Sequence, residues 1–196
     1  MTSKKITLVA LAVVIILAAF LRLYRIADYL NFLGDEGRDV MAVRNILHGD
    51  LTFLGPRSSA GDFYLGPIYY YFMAPFLFLS NYHPVGPAIM VALFSIATVY
   101  LIYRTGKEFF SPKAGLIAAL LYTISPLVII HSRSSWNPNV MPFFSVAAVY
   151  SAYKGIEQRN YYLLGLSGVL LGIAMQLHYL TIFLGGILFF YILLVE

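Results

Sequence analysis

The sequence predicts an all-α fold, a polytopic helical membrane protein, and three observations carry that reading. Hydrophobic residues make up 60% of the chain and the mean hydropathy is +0.79, beyond the apolar share of a soluble domain. Apolar runs recur at 6–24, 86–104, 113–131, 138–154, 162–178 and 179–195. Each is near the ~20 residues that an α-helix needs to cross the hydrocarbon core, the last ones being short. Alternation of period two is missing, which argues against a β-barrel.

The first run follows Lys4 and Lys5. Its apolar part is about twice the length of a signal-peptide core, and Leu21-Arg22-Leu23-Tyr24-Arg25 follows where a small-residue cleavage site would be needed. A retained anchor with its N-terminus inside is expected. The segment 66–82 is ambiguous, because it holds Tyr69, Tyr70, Tyr71, Phe72, Phe76, Phe78 and Tyr82 around Pro75. If it does not cross, every lysine of the chain (Lys4, Lys5, Lys107, Lys113, Lys154) falls on the cytoplasmic side, as the positive-inside rule requires. It therefore reads as an interfacial or re-entrant helix within one external segment, 25–85, and six spans result. Residues 1–196 then form a single membrane domain, either a compact six-span protein or the N-terminal part of a longer protein.

Composition also excludes some chemistry. Cysteine is absent, so there are no disulfides and no thiolate nucleophile. The net charge of +4 belongs to topology rather than to nucleic acid, since no basic run could track a phosphate backbone. His48, His83, His131 and His178 lack metal-ligand spacing, so no metal site is predicted.

Three external elements carry the candidate site. The first is the acidic run Gly34-Asp35-Glu36-Gly37-Arg38-Asp39. Val40, Val43 and Leu47, with Ile46 beside them, mark an amphipathic helix opposite Arg38, Arg44 and Asn45. Asp35 suits the N-cap and Glu36 the positive end of the helix dipole. The functional alternative is a carboxylate that serves as general base at the membrane surface. The second element is Arg133-Ser134-Ser135-Trp136-Asn137-Pro138. Asn137 before Pro138 marks a helix start, Trp136 an interface anchor, and Arg133 a cation able to hold a lipid-linked phosphate. The third is His178, after Gln176 at the external end of the fifth span. Among the external arginines, Arg57 is a candidate for the same phosphate, since the guanidinium fork suits bidentate pairing.

The ordered set Gly34-Asp35-Glu36, Leu54-Gly55-Pro56-Arg57, Gly66-Pro67-Ile68-Tyr69-Tyr70-Tyr71 and Ser135-Trp136-Asn137-Pro138-Asn139 resembles the GT-C glycosyltransferases of the protein-mannosyltransferase and aminoarabinose-transferase type. The resemblance covers nearly the whole chain. It implies transfer of a sugar from a polyprenyl-phosphate donor to a protein, lipid or glycan acceptor outside the plasma membrane, with inversion. It implies Asp35 as the catalytic or acceptor-orienting carboxylate, with Glu36 beside it. It places Tyr69 in the family's proline-aromatic segment, whose first two positions are here Leu65 and Gly66. Asn137 stands where many members carry an acid. No cofactor is implied beyond the lipid-linked donor, and participation of a divalent metal is left open. Two rival readings are a non-catalytic polyprenyl-lipid binding or translocating protein and a structural membrane subunit. Polar residues gather at the external face rather than at the middle of several spans, which favours surface chemistry over passage.

Overall fold

A computed structural model describes residues 3–58 and 60–195. It is all-helical, and the only pairing of extended backbone among the described residues is an isolated bridge between Arg57 and Tyr64. The helices are α1 (Ser3–Leu23), α2 (Ile26–Tyr29), α3 (Gly34–Leu47), α4 (Ile68–Leu79), α5 (Val85–Phe109), α6 (Pro112–Ile124) and α7 (Pro126–His131). A 3-10 turn (Asn137–Val140) then leads into α8 (Met141–Glu157), α9 (Tyr161–Leu177) and α10 (Thr181–Val195). All six expected spans are thus helical over most of their length. By length and apolar composition α1, from Lys5, and α5 suffice to cross a membrane, and the other apolar helices are shorter. Large apolar side chains face outward along them: Ile16 is 69% exposed, Phe183 68% and Leu194 86%. Apolar surface of that extent suits lipid rather than water.

Proline interrupts one expected span and is accommodated inside another helix. The expected span 113–131 is split into α6 and α7 at Ser125-Pro126. Pro126 has no N–H for the carbonyl of Tyr122, and Ser125 before it is extended (φ −61°, ψ 119°). The carbonyls released there are taken by the fully buried Arg22 of α1, whose guanidinium donates to Thr123 O (3.2 Å) and Tyr122 O (3.3 Å). Its Nε donates to Ser95 Oγ of α5 (2.8 Å). One arginine therefore joins three helices by satisfying backbone that the proline left open. Pro75, inside α4, lies on that helix's exposed side, where the missing donor costs least.

The core is arranged around α4. Tyr69, Met73 and Leu77 are 0% exposed and pack with Val43 of α3, Met90 and Val91 of α5, Phe144 of α8 and Leu177 of α9. Tyr69 and Tyr70 therefore turn inward, where tyrosine density had pointed to the headgroup level. A second cluster joins Leu11, Val14 and Ala18 of α1 to Val99 and Tyr103 of α5 and Ala119 of α6. There α5 and α6 approach at backbone distance, since a Cβ on Gly115 would lie 2.5 Å from Tyr103 O and 2.7 Å from Lys107 N. Gly115→Ala should cost about 1–3 kcal/mol by forcing these helices apart. Gly168→Ala, on α9 with nothing within 4 Å, should stay within about 1 kcal/mol of wild type. Thermal unfolding in detergent measures both, and equal melting temperatures would contradict the close approach.

Candidate functional site

The acidic run starts α3, but its residues take different parts from those their order suggests. Gly34 is the first helical residue and Leu33 the N-cap, so Asp35 lies inside the first turn and does not cap it. Glu36, at the third helical position, reaches back instead: its Oε2 accepts from Leu33 N at 3.1 Å. Its Oε1 accepts from Ser134 Oγ at 2.6 Å, which ties α3 to the segment before the 3-10 turn. Glu36 is 5% exposed and both its oxygens are engaged in structure. Asp35 projects outward, with about half its side chain exposed, and takes Arg38 Nη1 at 2.8 Å.

Asp35 stands at the edge of a cleft of about 480 Å³. The same cleft is lined by Arg57, Trp136, Asn137, His178 and Tyr179, so all three elements singled out in the sequence meet in one place. The described residues on either side of position 59, 55–58 and 60–66, form a tongue that lends Pro56, Arg57, Ser58, Gly61 and Leu65 to its lining. Gly55 N donates to Leu65 O and Leu65 N to Pro56 O, both at 2.9 Å, and Ser58 N donates to Phe63 O at 2.9 Å. A Cβ on Gly55 would come within 2.1 Å of Gly66 O, so the base of the tongue requires glycine. Arg57 on the tongue pairs with Asp62 at 2.6 Å, and both are exposed. Such a pair stabilises little and exchanges readily.

On the far side of the tongue lies a second, apolar groove of about 580 Å³, lined by Phe63, Tyr64, Gly172, Met175 and Ile182. Leu65 and Tyr179 line both spaces, so the polar cleft and the apolar groove adjoin at these two residues. Tyr179 is held there edge-on to Phe63 (ring centroids 6.0 Å) and stacked on His178 (4.5 Å). His178 Nδ1 accepts from Leu180 N at 3.3 Å, which leaves Nε2 as the donor of the neutral ring.

Of the remaining expected site residues, one lines the cleft and two do not. Asn137 lines the cleft but does not cap its own helix, because it sits inside the 3-10 turn; its Nδ2 donates to Leu177 O, the last carbonyl of α9, at 2.5 Å. Arg133 lies off the cleft lining: its Nη2 donates to Leu21 O (2.5 Å) at the end of α1, and its guanidinium covers the Tyr29 ring at 4.9 Å. Tyr69 is fully buried behind the cleft wall.

Asp39 is the residue that sequence reasoning missed. It is 0% exposed, and its Oδ1 accepts from Arg38 Nε (2.9 Å), Arg38 Nη2 (2.8 Å) and Tyr70 OH (3.3 Å). Burial pushes its carboxyl up to about 6, against the pull of the Arg38 hydrogen bonds and charge and of the Tyr70 hydroxyl. A signal for it was present: Glu36, Asp39, Val43 and Ile46 are the buried residues of α3 and recur at helical spacing.

A group that holds its proton more tightly when folded than when unfolded has a signed effect on stability. The unfolded aspartate ionises near pH ~3.9, whereas folded Asp39 ionises at about 6. The contribution is therefore complete below about pH 4 and is lost as the pH rises through about 6. Asp39→Asn cannot ionise, so its melting temperature relative to wild type should rise across that window and level off above it. A difference that stays constant with pH would assign the titration to another group.

The family model described as dolichyl-phosphate-mannose-protein mannosyltransferase matches residues 65–196, more than half the chain. The matched part holds Trp136, Asn137 and His178, whereas Asp35, Arg38 and Arg57 precede it. No curated protein and no solved structure matches the chain. The chain belongs to the dolichyl-phosphate-mannose-protein mannosyltransferase family, and thereby to the membrane glycosyltransferases of the GT-C type.

Proposed function

We propose that the protein transfers a sugar from a polyprenyl-phosphate donor to a hydroxyl or amine acceptor at the external face of the plasma membrane, with inversion at the anomeric carbon. The observation that carries this reading is the junction of the polar cleft with the apolar groove at Leu65 and Tyr179. A donor of this class is an amphiphile whose isoprenoid tail and phosphate-linked sugar need adjoining spaces of opposite polarity. The groove suits the tail, and the cleft suits the phosphate and sugar.

The chemistry follows from the groups at hand. The acceptor heteroatom attacks the anomeric carbon, the bond from that carbon to the phosphate oxygen breaks, and the phosphate leaves with the electron pair. Asp35 takes the acceptor's proton as the new bond forms. Among the described residues it is the one acidic side chain lining the cleft. A single carboxylate serves a direct displacement, and a phosphate departs without a general acid. Arg57 can leave its exposed partner Asp62 to neutralise the departing phosphate, with His178 Nε2 as a further donor. Trp136 and Tyr179 offer aromatic faces to the sugar.

Six crossings are consistent with this reading when α6 and α7 count as one bent span and α4 as a helix that does not cross. The N-terminus and the lysine-bearing ends of α5 and α8 then lie in the cytoplasm, and the cleft lies outside. The cysteine-free chain makes this directly measurable. Ser58→Cys should react with a membrane-impermeant maleimide in intact cells, and Lys107→Cys only after permeabilisation. The reverse pattern would invert the topology.

Two variants address the chemistry. Asp35→Asn should lower transfer from a synthetic polyprenyl-phosphate mannose by at least about a hundredfold, with membrane insertion intact. Full retained activity would remove Asp35 from the reaction. Gly172→Trp fills the groove at a position with nothing within 4 Å. It should raise KM severalfold for a long-chain donor while leaving KM for a short-chain analogue within about twofold. An equal effect on both donors would place the tail elsewhere.

A further inference from the structure

Arg38 faces two carboxylates of very different surroundings. Its Nη1 lies 2.8 Å from Oδ1 of Asp35, at the edge of the cleft, while Nε and Nη2 lie 2.9 and 2.8 Å from Oδ1 of Asp39. Nε and Nη2 share one buried acceptor while Nη1 meets Asp35, and it is the three bonds together, to two carboxylates one turn apart, that set the orientation of the guanidinium. The acceptor itself is held from a second element, since Tyr70 of α4 donates to the same Oδ1 at 3.3 Å. Tyr70 is 4% exposed and belongs to the cluster around α4 that also contains Val43 and Ile46 of α3.

The contrast with the other ion pairs of the external segment is physical. Arg25 with Asp28 and Arg57 with Asp62 are exposed on both sides and are free to exchange with water. Asp39 is 0% exposed, and its Oδ2 has no hydrogen-bond partner among the described residues. Burying a carboxylate in this way is costly, so its site needs a reason beyond solubility of the helix. Arg38 and Asp35 are one turn apart on α3, which puts the buried anchor, the cation and the exposed carboxylate in a row from core to cleft.

The geometry points to Asp39 as a positioning residue that, through Arg38, holds the Asp35 carboxylate in place at the cleft, with Tyr70 transmitting the rigidity of α4. This rests on the reading of Asp35 as the acceptor of the proton. Asp39 touches neither donor nor acceptor, so its loss affects the attack geometry rather than donor binding. A base displaced by a fraction of its hydrogen-bond reach loses rate while substrate affinity is kept.

The test uses the intact protein in detergent, with synthetic polyprenyl-phosphate mannose as the probe and release of polyprenyl phosphate as the signal. Rates are counted per donor-binding site, so that misfolded protein does not register as slow protein. Asp39→Asn should lower kcat by tenfold or more with KM unchanged within about twofold. Tyr70→Phe, which removes one of the three donors to Oδ1, should lower kcat by about threefold at unchanged KM. If Asp39→Asn binds no donor, Tyr70→Phe decides. Wild-type kcat in Asp39→Asn, or a KM that rises as far as kcat falls, overturns the positioning role. Asp35→Asn separates the two levels of the argument. If it abolishes turnover while Asp39→Asn does not slow it, the positioning role alone fails. If Asp35→Asn keeps the wild-type rate, the base assignment fails and takes the positioning role with it.

Discussion

A polar group buried away from water must find its partner inside the protein, and that requirement organises this molecule. The carbonyls freed at Ser125-Pro126 find Arg22. The last carbonyl of α9 finds Asn137, and the first turn of α3 finds Glu36. Glu36 in turn binds Ser134. Apart from the local bond of Glu36 to Leu33, these contacts join segments distant in sequence, and together they bring the start of α3, the 3-10 turn and the end of α9 to one rim. The cleft exists because those three ends are tied to one another.

The same constraint separates residues tied into the fold from residues whose partners are exposed. Glu36, Asn137 and Arg133 are held by backbone or buried side-chain partners, whereas Asp35 and Arg57 carry ion pairs at the cleft that are open to solvent. The described residues of the tongue add the division between a polar and an apolar space, with Leu65 and Tyr179 common to both.

How much of this was legible in the sequence differs from residue to residue. The helices follow from apolar runs, because hydrophobic length is a local property. The amphipathic stripe of α3 was legible through Val43 and Ile46, yet Asp39, which shares that stripe, was assigned to neither face of the helix. Helical spacing puts Asp39 on the buried face, but what makes a charge tolerable there is tertiary: Arg38 and, 31 residues away, Tyr70 donate to its carboxylate. Asp35 was read as the N-cap and Glu36 as a first-turn acid, but Leu33 is the cap, and it is Glu36 that turns inward, to Leu33 N and Ser134.

By itself the sequence determined the helical membrane class and the three external elements that carry polar chemistry. These depend on hydropathy and on residue type, both of which act within a few neighbours. Only the tertiary structure decided that Asp35, Arg57, Asn137 and His178 share one cleft while Glu36, Tyr69 and Arg133 lie behind or beside it. That division depends on which buried donor meets which buried acceptor across ~40 to 110 residues of chain.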